Sequence, residues 1–249
     1  MDSTNWTFQF PESADLVVAS DIHIRGPEDP RAKTLILLIE TACKMKVKHF
    51  ILNGDIFDFF FGWTPFFENL YGDIFRKLKQ LAESGCSIDF IEGNHEFGMD
   101  RLKVNYLKTW DSFGKSIRIE NTTIQIIHGD LMKYDWKYFA FRRIVRSNIT
   151  NLIASLVPQN WLYHATLWFA STSRKKDKYR TLHHDRIIAN AVDTLRKSSA
   201  DHLIFGHFHH PYDETITDQG KSKRLISVDS WDRPSCIVFH ERQFKRIYL

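Results

Sequence analysis

The sequence predicts an α/β fold in which helices cover a parallel or mixed sheet. Three observations carry the prediction. Short apolar runs alternate with segments of helical spacing through the first half of the chain. The ends of those runs carry Asp, Asn and His. The chain has 249 residues, 43% hydrophobic and 26% charged, which suffices for a sizeable core. This composition excludes a disordered or collagen-like chain.

The elements follow in order. Asp15–Ser20 (DLVVAS) is an apolar run suited to a buried strand. Residues Asp29–Lys46 have apolar side chains at helical spacing, with Pro30 in the first turn. His49–Asn53 reads as a second strand, Phe66–Glu83 as a helix closed by Gly85, and Ser87–Ile91 as a third strand. A helix is expected over Arg101–Phe113. Ser116–Glu120 and Thr123–Ile127 form a hairpin pattern across Asn121. The long aromatic stretch from Leu131 to about Lys197 reads as helical, with a break at Pro158. Asp201–Phe205 returns to strand, and Asp213–Thr217, Lys223–Val228, Ser235–Phe239 and Gln243–Tyr248 are short strands joined by turns. The expected division is a core of residues 1–130 and 198–249, interrupted by a helical cap at 131–197.

Cys43, Cys86 and Cys236 are odd in number and far apart, which argues for reduced thiols in a cytosolic protein. Residues Met1–Asp15 contain no apolar stretch of secretory type. The net charge of +4 implies no polyanionic partner by itself. Twelve histidines are unusual, and histidine is the commonest metal ligand.

Five strand ends deliver the polar residues: Asp21-Ile22-His23, Gly54-Asp55-Ile56-Phe57-Asp58, Gly93-Asn94-His95-Glu96, His128-Gly129-Asp130 and Gly206-His207-Phe208-His209. Ligands of open α/β sheets gather at the carboxyl ends of strands. In Asp21-x-His23 and His207-x-His209, a period of two puts both side chains on one side of an extended segment. Mixed imidazole and carboxylate donors suit Mn, Fe, Zn or Co. Seven ligands exceed one tetrahedral ion and suit two ions sharing a carboxylate.

This ordered set, D-x-H, G-D-x-x-D, G-N-H-[DE], H and G-H-x-H, resembles the calcineurin-like metallophosphoesterase superfamily. The resemblance implies an α/β (α+β) fold, a four-layer β-sandwich flanked by helices. It implies that Asp21, His23, Asp55 and His209 hold one ion and that Asp55, Asn94, His128 and His207 hold the other. The ions are expected to be divalent, with Mn²⁺ favoured. His95 is then catalytic rather than a ligand, protonating the leaving oxygen or stabilising charge while a metal-bridged hydroxide attacks phosphorus. Asn94 and His95 would also contact substrate. Asp58 and Glu96 are candidate partners that orient the histidines.

Residues Leu131–Arg180 hold ten Lys and Arg against two acids. The 27 residues between Arg146 and Arg174 carry no formal charge, yet Asn148, Asn151, Pro158, Gln159, Asn160 and His164 interrupt them. Two short amphipathic helices fit that pattern better than a membrane span. One reading is a cap whose apolar face packs on the core. The other is a lid that accepts an apolar phosphorylated substrate or rests on anionic lipid. Within the superfamily the chain is most similar to the branch that hydrolyses UDP-2,3-diacylglucosamine to UMP and a lipid phosphate in lipid A synthesis. The matching features are Gly54-Asp55-Ile56-Phe57-Asp58, the insertion after His128-Gly129-Asp130, Gly206-His207-Phe208-His209-His210-Pro211 and Asp229-Ser230-Trp231. That branch makes Arg174, Lys175 and Lys178 candidate phosphate or uridine contacts. It also implies a cytoplasmic enzyme touching the inner-membrane surface, with no nucleic acid and no obligate protein partner. The branch usually has Gly-Asn-Arg-Asp where this chain has Gly-Asn-His95-Glu96. Another nucleotide-linked lipid or a generic phosphodiester is therefore the alternative substrate. A nuclease and a non-catalytic scaffold are the remaining alternatives.

Overall fold

The computed structural model describes residues 10–11, 13–132, 136–147, 149–150, 152, 156–158, 161 and 184–248. The first half runs β1 (Leu16–Ala19), α1 (Pro30–Lys44), β2 (His49–Asn53), β3 (Phe60–Phe61), α2 (Pro65–Leu70), α3 (Gly72–Glu83), β4 (Ser87–Ile91) and β5 (Glu96–Phe97). A 3-10 turn at Met99–Arg101 precedes β6 (Lys108–Trp110), β7 (Lys115–Ile119), β8 (Thr122–Ile127) and α4 (Trp136–Val145). The second half holds α5 (His184–Lys197), β9 (His202–Phe205), β10 (Tyr212–Asp218), β11 (Lys221–Ser227), β12 (Ser235–His240) and β13 (Gln243–Tyr248).

Alternation along the strands builds the layers. A six-stranded sheet has the order β13-β12-β1-β2-β4-β6, and a five-stranded sheet has the order β10-β11-β9-β8-β7. In β1, Leu16 and Val18 point into an inter-sheet core shared with Ile124, Ile126, Ile204 and Ile226. Val17 and Ala19 face the opposite way, into a core with Leu35 and Leu38 of α1 and Ile74 and Leu78 of α3. On the outer face of the second sheet, Ala191 and Leu195 of α5 are buried with Leu203, Phe205 and Leu225. The result is a helix, sheet, sheet, helix sandwich. Helix α1 starts as its sequence requires: Asp29 Oδ1 accepts from Arg31 N at 2.9 Å, and Pro30 occupies the first turn.

Two expected helices change, and Asp21-x-His23 and His207-x-His209 are not the extended segments expected, since all four residues have positive φ. Residues Arg101–Phe113 are not a helix. Lys108–Trp110 forms β6, parallel to β4 and paired Asp89↔Lys108, Phe90↔Thr109 and Ile91↔Trp110. The exposed edge of β4 offers backbone partners that the local spacing does not encode. The helix expected over Phe66–Glu83 is two helices, with Tyr71 at the break. Arg174, Lys175 and Lys178 lie outside the described residues. The three cysteines are free.

Candidate metal centre

Each candidate ligand sits in the turn that leaves a strand, and the turns are strained. Asp21, His23, Asp55, His207 and His209 have φ of 55°, 55°, 52°, 71° and 55°. Non-glycine residues rarely adopt this left-handed region, and such strain concentrates at functional sites. Backbone bonds lock the turns together. Asp21 N donates to Gly54 O at 3.0 Å and His23 N to Asp55 O at 2.9 Å. Gly206 N donates to His128 O at 2.8 Å. Two motif glycines are dictated by space. A Cβ on Gly93 would lie 2.2 Å from Asp55 Oδ1, and one on Gly206 would lie 2.4 Å from Asp21 Oδ2.

Three overlapping groups result, each with ligand atoms within 4.8 Å of one another: Asp21, His23 and His209; His23, Asp55 and His95; and Asp55, His128 and His207. His23 Nε2 and His209 Nε2 are 3.2 Å apart, and His209 Nε2 is 3.3 Å from Asp21 Oδ1. His128 Nε2 is 3.4 Å from Asp55 Oδ2 and 3.3 Å from Asn94 Oδ1. All seven expected ligands and His95 therefore gather at one place. Asp55 and His23 each belong to two groups.

The supporting bonds set ring orientation and charge. His128 Nδ1 donates to Asn53 O at 3.0 Å, which turns Nε2 toward Asp55 and Asn94. His95 Nδ1 donates to Asp58 O at 2.7 Å, and His95 N donates to Asp55 Oδ1 at 3.0 Å. Asp21 accepts from His207 N on both oxygens at 3.0 Å. Among the described residues Glu96 makes no hydrogen bond to a histidine. Its carboxylate accepts from Asp55 N (2.8 Å), Gly93 N (2.9 Å) and Phe57 N (3.0 Å), bracing two loops at once. Asp58 Oδ1 stands 3.7 Å from His23 Nδ1.

Ser20, Trp231 and Asn53 complete the support without having been singled out for it. Ser20 Oγ donates to Asp21 Oδ2 at 2.7 Å, and Trp231 N donates to Asp21 O at 3.3 Å. Ser20 follows β1 and Asn53 ends β2, each beside candidate ligands, and that adjacency was their only signal. For Trp231 it was its place in the Asp229-Ser230-Trp231 motif.

Electrostatics favour cations here. Burial pushes the Asp55 carboxyl up, but the charges of His128, His95 and His23 hold it well below the usual range. Burial likewise opposes ionisation of Asp21, and its hydrogen bond to His209 and the nearby imidazoles bring it to about 2. Burial lowers His128, and Asp55 more than reverses this, to about 10. Burial pulls His23 down to about 3. Glu96 is pushed up to about 7 by burial and by the charge of Asp55. Two ionised buried carboxylates amid converging imidazoles, with buried Asp55 Oδ2 and His23 Nδ1 making no hydrogen bond among the described residues, are a donor set that fits divalent cations.

The calcineurin-like phosphoesterase profile matches residues 15–211, and the chain belongs to that family. It is a phosphoester hydrolase, and membership implies divalent metal ions. The UDP-2,3-diacylglucosamine hydrolase of Neisseria gonorrhoeae is 25% identical over 216 residues, covering 84% of this chain and 87% of that protein. The hydrolase of the same name from Blochmanniella pennsylvanica is 26% identical over 236 residues, covering 90% of each. Among solved structures, an archaeal phosphodiesterase covers 94% of this chain at 14% identity with a TM-score of 0.49.

Proposed function

We propose that the chain hydrolyses UDP-2,3-diacylglucosamine to UMP and a lipid phosphate with two divalent cations, Mn²⁺ by preference. The observation that carries the reading is the set of overlapping ligand groups joined through Asp55, in a chain whose relatives carry that hydrolase name. Asp21, His23, Asp55 and His209 would hold one cation, and Asp55, Asn94, His128 and His207 the other. Bound there, the cations supply Lewis acidity toward the phosphoryl oxygens and a water acidified toward neutral pH. Ser20, Glu96 and Asn53 keep the donors in place before substrate arrives. His95 is oriented by Asp58 O and delivers a proton from Nε2 to the leaving oxygen. Asn94 and His95 touch the phosphate.

Residues 131–197 act in this reading as a cap that receives the acyl chains, with Arg174, Lys175 and Lys178 on phosphate or uridine. Trp136, Phe141 and Ile144 of α4 are more than half exposed beside Arg142 and Arg143, a pattern suited to an anionic lipid surface. No described helix is long and apolar enough to cross a membrane. The site of action is the cytoplasmic face. The test is release of UMP from UDP-2,3-diacylglucosamine with Mn²⁺, beside bis-p-nitrophenyl phosphate as a generic diester. Turnover of the lipid that is lost in Asp55→Ala supports the reading. Turnover of the generic diester alone overturns it in favour of a different phosphodiester, the reading that His95 in place of arginine favours.

A further inference from the structure

Helix α4 and the turn after it set two arginines on one face, since Arg146 N donates to Arg142 O at 3.1 Å. Arg142 anchors the helix to Asp130 and Ser112. Arg146 reaches elsewhere, to the loop that leaves β4 and carries Asn94 and His95. Its Nη2 lies 2.6 Å from Glu92 Oε2 and donates to Glu96 O at 3.3 Å. Those two attachment points bracket Gly93-Asn94-His95. A single guanidinium nitrogen therefore closes the loop from Glu92 to Glu96.

Both ends of this contact are fixed. Glu92 Oε1 accepts from Met99 N at 2.6 Å, Ser112 Oγ donates to Glu92 O at 2.7 Å, and Glu92 N donates to Trp110 O at 2.8 Å. The Glu92 and Arg146 side chains are only 7% and 20% exposed. Desolvation offsets much of the attraction within such a buried pair, so the pair adds little stability, but its geometry holds what it joins. At the other end the strand pattern leaves an acceptor for Arg146. His95 O and Phe97 O accept from Phe60 N and Gly62 N at 3.0 and 2.9 Å. Carbonyls alternate in direction along a strand, so Glu96 O faces away from β3. Strand β3 thus holds one edge of the His95 segment, and Arg146 holds the other. Removing Arg146 leaves Glu92 buried without its cation and frees the edge opposite β3.

We propose that Arg146 is a positioning residue for His95, clasping the loop from Glu92 to Glu96 so that the imidazole stands at the reacting phosphate. The inference rests on the reading of His95 as the proton donor. The test is steady-state hydrolysis by the full chain loaded with Mn²⁺, on whichever of UDP-2,3-diacylglucosamine and bis-p-nitrophenyl phosphate it turns over. Elemental analysis reads bound metal, and thermal melts establish that each variant is folded. Arg146→Ala is expected to lose about 10- to 100-fold in kcat, the cost of a catalytic group displaced by about 1 Å, with KM within about 3-fold of wild type. Metal should be retained, because Asp21, His23, Asp55, His128, His207 and His209 lie outside the clasped loop. Arg146→Lys keeps a cation for Glu92 and should recover most of the loss. Glu92→Gln should also lower kcat, and the double variant Glu92→Gln with Arg146→Ala should lose less than the product of the two single losses, because both act through one contact. An unchanged kcat in folded Arg146→Ala overturns the clasp, as does a raised KM with kcat retained, which would place Arg146 on the substrate. Where Arg146→Ala does not fold, Glu92→Gln decides, and an unchanged kcat there overturns the clasp. His95→Ala is measured beside them. Wild-type turnover in His95→Ala removes the reading of His95 itself. Loss in His95→Ala without loss in Arg146→Ala removes the clasp and leaves that reading.

Discussion

A non-glycine residue at positive φ costs about 1–3 kcal/mol, and five of the residues expected to hold metal occupy that region. The turns persist because their backbones bond to one another and because Ser20 and Glu96 supply further acceptors and donors. His95, like Asn94 and His128, is not among the residues of positive φ, so its loss releases no strained turn, and its Nδ1 is committed to Asp58 O. His95→Ala is therefore expected to lose most turnover, about 100-fold or more for a positioned acid, while retaining bound metal by elemental analysis. Equal loss of metal would make His95 a ligand, as its grouping with His23 and Asp55 allows. The convergence of the candidate ligands was legible because each residue follows a strand whose end the apolar pattern locates. Glu96 was legible as a partner but not in its action, since three backbone donors from two loops leave no mark on the sequence around it.

Helix α4 is joined to the core by charge as well as by the packing of Val145, and none of its side chains is fully buried. Arg142 Nη1 donates to Asp130 Oδ2 at 2.8 Å and to Ser112 Oγ at 2.6 Å, and Tyr138 OH also donates to Asp130. Asp130 directly follows His128-Gly129, so this anchor adjoins the candidate metal centre. Removing one partner of a buried pair costs about 3–5 kcal/mol when the other charge is left uncompensated. Tyr138 still serves Asp130, so Arg142→Ala is expected to destabilise the chain by a smaller amount, about 2–3 kcal/mol. Urea denaturation reads this directly, and a change below about 0.5 kcal/mol would show the anchor to be solvated. Strand β6 belongs to the same scale. Lys108–Trp110 is too short to show a period, and its state is decided by the edge of β4 beside it.

Strands far apart in the chain make one sandwich. The C-terminal β12 lies antiparallel to β1, pairing Leu16↔Phe239 and Val17↔Val238, while β8 and β9 pair in parallel across the inserted residues. The candidate metal centre takes side chains from strand ends in both sheets, so folding and metal binding are linked. A metal that binds only the folded chain stabilises it by about 2.7 kcal/mol at one hundred times its dissociation constant. Chelation is expected to lower the melting temperature by about 5–10 °C for a chain of this size, and added Mn²⁺ should restore it. An unchanged melt after proven metal removal would show that the ligand turns are held by the protein alone. The strand ends, their order, and the Asp, Asn and His they carry were set by the sequence by itself, because apolar runs and their flanking residues are local signals. The pairing of Phe60–Phe61 with Glu96–Phe97 and the conversion of Lys108–Trp110 to strand were decided only by the tertiary structure. Each strand pairing depends on a partner distant in the chain, and the free energy of that contact is absent from either segment alone.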